Sequence, residues 1–155
     1  MTLPERGLWS RALMAADEEA VIVLAERLSL QHDARPAGQP RAGLALLRLR
    51  ESVALDTFYL GEIPVATARV ALRAPDGLYV DGGAVLMDDS TELAAAIAVL
   101  DGVLAHDLAG ANEVADLVRK GQKTIDREGR IRNAMLSRTR VDFALMGEAG
   151  DDTHS

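Results

Sequence analysis

No cysteine occurs among the 155 residues. The chain therefore cannot close a disulfide, hold a thiolate-ligated iron–sulfur cluster or use a thiol nucleophile, and radical chemistry, if any is nearby, is expected to belong to another chain. Aromatic residues are almost as scarce: Trp9, Phe58, Tyr59, Tyr79 and Phe143 are the only rings. That leaves little for stacking nucleic-acid bases and makes burial depend on Leu, Val, Ile and Ala. No run approaches the roughly 20 apolar residues of a membrane span, and Met1 to Gly7 lacks the basic, apolar, small-residue order of a secretory signal. The expectation is a cytoplasmic protein with no membrane partner.

What is present is aliphatic. At 155 residues and 48% hydrophobic, the chain is long enough for one core and too short for two. Residues 1–150 read as one domain and 151–155 as a disordered tail. After Pro4, the stretch Leu8 to Ala16 predicts a short helix. Asp17 is placed to cap a second, Glu18 to Leu30, whose acidic first turn suits the helix dipole and whose Val21, Leu24, Ala25 and Leu28 form one stripe. Gln31 to Arg41 holds two prolines and a glycine without periodicity and reads as a surface loop.

From Gly43 the period changes to two. Leu44 to Glu51 reads as a first strand, with Arg48 and Arg50 on one side and Leu47 and Leu49 on the other. Phe58 to Leu60 and Val65 to Arg73 are the second and third strands. Between them Gly61-Glu62-Ile63-Pro64 combines a glycine that permits a bend with a proline that marks an edge or entry position. In the third strand Ala66, Ala68, Val70 and Leu72 share one face, opposite Thr67, Arg69 and Arg73. Pro75-Asp76-Gly77 is a turn, returning the chain as a fourth strand, Leu78 to Met87.

Ser90 or Asp89 caps a long helix to about Leu108, along which Leu93, Ile97, Leu100, Leu104 and Leu108 recur at helical spacing. Asn112 to Ser137 is also helical in pattern, with a break expected between Gly121 and Gly129. The order gives an α+β single domain: N-terminal helices, an about four-stranded and mainly antiparallel sheet, and long C-terminal helices.

No motif in this chain carries chemistry by itself. Gly82-Gly83 precedes a helix, yet the Walker lysine and the dinucleotide glycine spacing are missing, so a bulge or bend is the simpler role. His32, His106 and His154 lack the paired spacing that puts two imidazoles on one metal. Asp88 and Asp89 could hold magnesium or act as an acid and base pair, but capping the coming helix accounts for them. No serine has a nucleophile-elbow context. The expectation is no catalytic residue, no metal and no cofactor in this chain.

Charge is more informative. Arg119 to Arg140 holds eight Lys or Arg against two acids, net +6, within a chain of net −7, so the remainder carries −13. Arg127, Arg130, Arg132, Arg138 and Arg140 in this stretch are candidates for contact with phosphate groups or an acidic partner subunit, and Trp9, Phe58, Tyr59 and Phe143 supply candidate apolar anchors. A solvated helix face and, for Phe143, a core ring are the plainer alternatives. Arg48, Arg50, Arg69 and Arg73 form a second candidate surface, for anions, if their strands pair so that all four face outward. A pI near 4.9 and the absence of a recognition motif argue against nucleic acid.

Three segments together resemble the PhnG family: Leu8-Trp9-Ser10-Arg11-Ala12-Leu13, the run FYLGEIPVATARVAL at 58–72, and Arg140-Val141-Asp142-Phe143 before a methionine. Their order and spacing span nearly the whole chain. Where the family often carries Gly-Arg-Asp before its long helix, this sequence reads Met87-Asp88-Asp89-Ser90. The resemblance implies the G subunit of a carbon–phosphorus lyase core complex, assembled with H, I and J subunits, in catabolism of organic phosphonates. It further implies an accessory role in a transferase complex that makes α-D-ribose 1-methylphosphonate 5-triphosphate from ATP and methylphosphonate. In that complex nucleosidase chemistry resides in the I subunit, and iron–sulfur and S-adenosylmethionine chemistry in the J subunit. The competing expectation is a free-standing domain that binds or senses a phosphorylated ligand through the sheet arginines.

Overall fold

The alternation from Ala66 to Leu72 organises the molecule. A computed structural model describes residues 2–50 and 56–138, and in it Ala66, Ala68, Val70 and Leu72 are all buried on one face of a sheet. A 3-10 turn at Arg6–Leu8 leads into α1 (Trp9–Met14) and α2 (Glu18–Gln31). Then come β1 (Arg35–Pro36), β2 (Arg41–Arg50), β3 (Thr57–Arg73) and β4 (Tyr79–Leu86), followed by α3 (Thr91–Ala105) and α4 (Ala111–Arg138).

All strand pairs are antiparallel, with β3 in the middle: β1 and β2 follow one another along one flank, and β4 lies along the other. The buried face of β3 and β4 packs on α3, and α1, α2 and α4 cover α3 from the far side. Sandwiched between these two layers, α3 is buried almost continuously from Leu93 to Val103, so its sequence is apolar nearly all round rather than striped. The α+β architecture is the one the element order predicts.

The start of α3 is capped as its sequence indicates. Ser90 Oγ accepts a hydrogen bond from the Leu93 N–H at 3.1 Å, while Asp88 Oδ1 accepts one from the Ser90 N–H at 2.7 Å. Asp17 occupies the N-cap position of α2, but its side chain accepts no cap hydrogen bond; the favourable charge comes from Glu18 and Glu19 in the first turn.

Four local expectations are corrected. The predicted second and third strands are one strand, β3, which runs through Gly61 and Pro64 without interruption. Leu47 pairs with Gly61 and Arg48 with Tyr59, so Leu60 is the extra residue of a bulge, and Gly61 takes the φ of +152° that the irregularity requires. Pro64 is tolerated because, among the described residues, this part of β3 has β2 on one flank and no strand on the other. Secondly, the expected loop from Gln31 to Arg41 supplies the two-residue strand β1.

Thirdly, α4 is unbroken across Gly121 and Gly129. Gly121 is a packing residue: a Cβ there would overlap the backbone carbonyl oxygen of Ala12 in α1. The same device sets α3 against the sheet. A Cβ on Gly82 would overlap the Ala98 carbonyl oxygen, and one on Gly102 would overlap the Leu72 side chain and lie 3.1 Å from Gly82 Cα. Gly82 therefore marks a close helix–strand crossing within a regular β4 register, in place of the expected bulge or bend.

Candidate functional site

Asp101 is the one carboxylate buried among the described residues, 6% exposed within the apolar α3. Burying a carboxylate is costly unless every lone pair is matched. Arg6 supplies a two-point contact, Nε to Oδ1 at 3.0 Å and Nη2 to Oδ2 at 2.7 Å, and the Gly83 N–H donates to Oδ2 at 3.0 Å. The guanidinium of Arg6 is held protonated all the more firmly, chiefly by that hydrogen bonding. Because Gly83 lies on β4, whose far flank has no partner strand among the described residues, this network fastens the N-terminal segment to that flank of the sheet. An acid in the apolar stretch of α3 that follows Glu92 is its only trace in the sequence.

The face of the sheet turned away from α3 carries the polar side chains. Arg41 pairs with Thr67, Arg69 with Gly83, and Arg73 with Tyr79, all on this outer face. Arg35 lies 5.1 Å above the Tyr79 ring and contacts Asp33 Oδ2 at 2.7 Å, and the Tyr79 hydroxyl donates to the same oxygen at 2.7 Å. These contacts hold the Asp33 carboxyl below its ordinary range, Tyr79 contributing most and Arg35 next, and the hydrogen bond to Asp33 pushes the Tyr79 phenol up. Arg69 approaches Asp81 at 3.6 Å.

A pH dependence follows with opposite signs for the two groups. Asp33, depressed in the fold, contributes stability that is present above its unfolded pKa of about 3.9 and is lost as pH falls. Tyr79, raised in the fold, contributes stability that is present below about 10 and is lost as pH rises through its folded value. In an NMR titration, Tyr79→Phe is expected to move the Asp33 carboxyl upward toward the ordinary carboxylate range, part of the way only because Arg35 and Arg73 still lower it. An unmoved Asp33 titration would reject the hydrogen bond as the cause.

The expected four-arginine anion surface divides. Arg69 and Arg73 face outward together, whereas Arg48 and Arg50 share the face of Ala42, Leu44 and Leu46, and Ala42 pairs with the buried-face residue Ala66. Their place beside Arg69 is taken by Arg41, which the sequence reading missed because face assignment depends on register.

Beyond the flank of β4, residues 43–50 and 57–65 pair only with each other among the described residues. They form an arm roughly 30 Å long, at about 3.3 Å per residue. None of its residues is buried, and Leu44, Leu46, Leu49, Phe58, Tyr59 and Leu60 are exposed. The interface candidates Phe58 and Tyr59 stand on this arm. Trp9 is half-buried against the core, and its indole N–H donates to the Pro4 carbonyl at 2.8 Å. Arg127, Arg130 and Arg132 are exposed on the distal half of α4, near exposed Ile131 and Met135. Arg138 ends that helix, and Arg140, Phe143 and the tail 151–155 lie outside the described residues.

Among the described residues no group of three or more His, Asp or Glu is placed to hold a metal, and no helix is long and apolar enough to cross a membrane.

A family model described as "Phosphonate metabolism protein PhnG" matches residues 4–147. The chain belongs to the PhnG family. No curated protein matches it. In this PhnG chain the segments that carried the resemblance have distinct places: Leu8 to Leu13 includes most of α1, and the run from Phe58 to Leu72 is almost all of β3, half in the arm and half in the sheet. Met87-Asp88-Asp89-Ser90 is the capped entry to α3.

Proposed function

We propose that this PhnG-family chain is an accessory subunit of a cytoplasmic carbon–phosphorus lyase core complex. It assembles with H, I and J subunits and supports formation of α-D-ribose 1-methylphosphonate 5-triphosphate from ATP and methylphosphonate. In that step the phosphonate displaces adenine at the ribose, with the nucleosidase chemistry on the I subunit. The observation that carries the reading is the arm: a two-stranded ribbon with exposed leucines and two adjacent rings is a surface that another subunit covers. The basic distal half of α4, on an otherwise acidic chain, is a second element suited to a partner of opposite charge.

Co-expression of the four subunits followed by affinity capture tests this directly. The wild-type chain is expected to hold an I-like subunit in fixed stoichiometry. Leu46→Asp combined with Phe58→Asp lowers that capture at least tenfold while leaving the unfolding temperature of the isolated chain within about 2 °C, since both side chains stand outside the core. Elution of the chain alone beside a complete partner set defeats the proposal, and so does adenine release from ATP and phosphonate by the chain without partners.

A further inference from the structure

We propose that the outer sheet face at Arg41, Thr67 and Arg69 is a binding site for an oligophosphate group. The site is a cleft of about 620 Å³, within the size range of small-ligand pockets. Its floor is Thr67, Arg69, Gly83 and Val85, and its wall is the segment from Ala37 to Gln39. That wall is fastened to the floor, because the Ala37 N–H donates to the Arg69 carbonyl at 2.9 Å.

Arg41 and Arg69 lie in diagonal register across β2 and β3, close enough for two long side chains to converge on one ligand. The Arg41 guanidinium has no hydrogen-bond or ion-pair partner among the described residues. Arg69 has only the long contact to Asp81, with both side chains more than 70% exposed. Thr67 adds a hydroxyl beside Arg41, and Gly83, opposite Arg69, leaves the floor without a side chain. Two guanidinium forks and a hydroxyl on a fixed platform suit several phosphate oxygens at once, better than a lone carboxylate. Arg35 and Arg73 contribute less, since Asp33 stands close to both. Asp81 opposes binding at the Arg69 end. Val85, 70% exposed at the far end, offers apolar contact to whatever the phosphates are attached to.

The inference does not depend on assembly with partners, so the isolated full-length chain is the right material. Titration calorimetry with inorganic tripolyphosphate, ATP and inorganic phosphate is expected to give saturable one-to-one binding of the first two and at least tenfold weaker binding of phosphate. Arg41→Gln and Arg69→Gln each weaken tripolyphosphate binding about tenfold. Asp81→Asn tightens it about threefold by removing the opposing charge. Arg48→Gln, on the other face of β2, leaves it unchanged. Equal affinity for tripolyphosphate and ATP assigns recognition to the phosphates alone, and tighter ATP assigns a contribution to the Val85 end; both support the site. Absence of saturable binding overturns it. So does binding that survives in the Arg41→Gln/Arg69→Gln double variant, or that Arg48→Gln weakens equally.

Discussion

Gly121→Ala is expected to destabilise the protein by about 2–3 kcal/mol, against the usual direction of a glycine-to-alanine change in a helix. On propensity alone alanine gains about 1 kcal/mol in a helix interior. Here the added methyl would overlap the Ala12 carbonyl oxygen and stand 3.2 Å from the Ala16 N–H nitrogen, and both obstacles are backbone atoms of α1 and its exit. Overpacking typically costs about 1–3 kcal/mol and occasionally more; against backbone atoms that cannot rotate away the cost is at the upper end, about 3–4 kcal/mol, so the steric term outweighs the propensity gain. At roughly 2–4 °C per kcal/mol for a chain of this size, the midpoint falls by about 5–10 °C. Gly129 provides the internal control. Nothing lies within 4 Å of a Cβ built there, and Gly129→Ala is expected to stabilise by up to about 1 kcal/mol. Thermal unfolding of the two variants checks the pair, and a stabilised Gly121→Ala would show that α1 and α4 are not in fact pressed backbone to backbone.

Arg6→Met is expected to cost about 2–3 kcal/mol. Removing one partner of a buried ion pair costs roughly 3–5 kcal/mol, because the remaining charge has lost its compensation. The lower range applies here, since Arg6 is 53% exposed and water reaches the vacated side, and since Asp101 keeps the Gly83 N–H. Replacing both partners, as in Arg6→Met with Asp101→Leu, is expected to recover part of the loss, because no charge is then buried. Urea unfolding of the single and double variants forms a cycle, with a coupling above about 1 kcal/mol expected. A cost for Arg6→Met below about 0.5 kcal/mol, the level of an exposed pair, would remove the anchoring role assigned to this network.

Much of the fold was legible because two layers impose simple periods. Ala66 to Leu72 alternate since one face meets α3, and Leu93 to Leu104 repeat at helical spacing since α3 meets the sheet. The errors share a cause, which is that a glycine or proline signals more than one thing. Gly61 and Pro64 read as a gap between strands, but a bulge absorbs the first and a one-sided ladder tolerates the second. Gly121 read as a helix break, although the sequence cannot show that another backbone lies against it.

The candidate surfaces were legible as residue types and not as neighbours. Phe58 and Tyr59 fall on the arm as an exposed aromatic pair, but the face shared by Arg41 and Arg69 exists only once β2 and β3 are in register. Arg48 and Arg50 alternate with Leu47 and Leu49, as read, and still stand away from Arg69 for the same reason.

The arm also bears on how the chain spends its time before it meets a partner. A ribbon of two strands with no second layer is fastened mainly by its own ladder, so its opening is far easier than opening of the α3 and β4 layers. Ordering such a segment is part of the cost of association, which loosens a complex relative to the area it buries. Assembly would thus complete the folding of this chain, making the outer half of β3 a region whose rigidity reports whether the chain is alone.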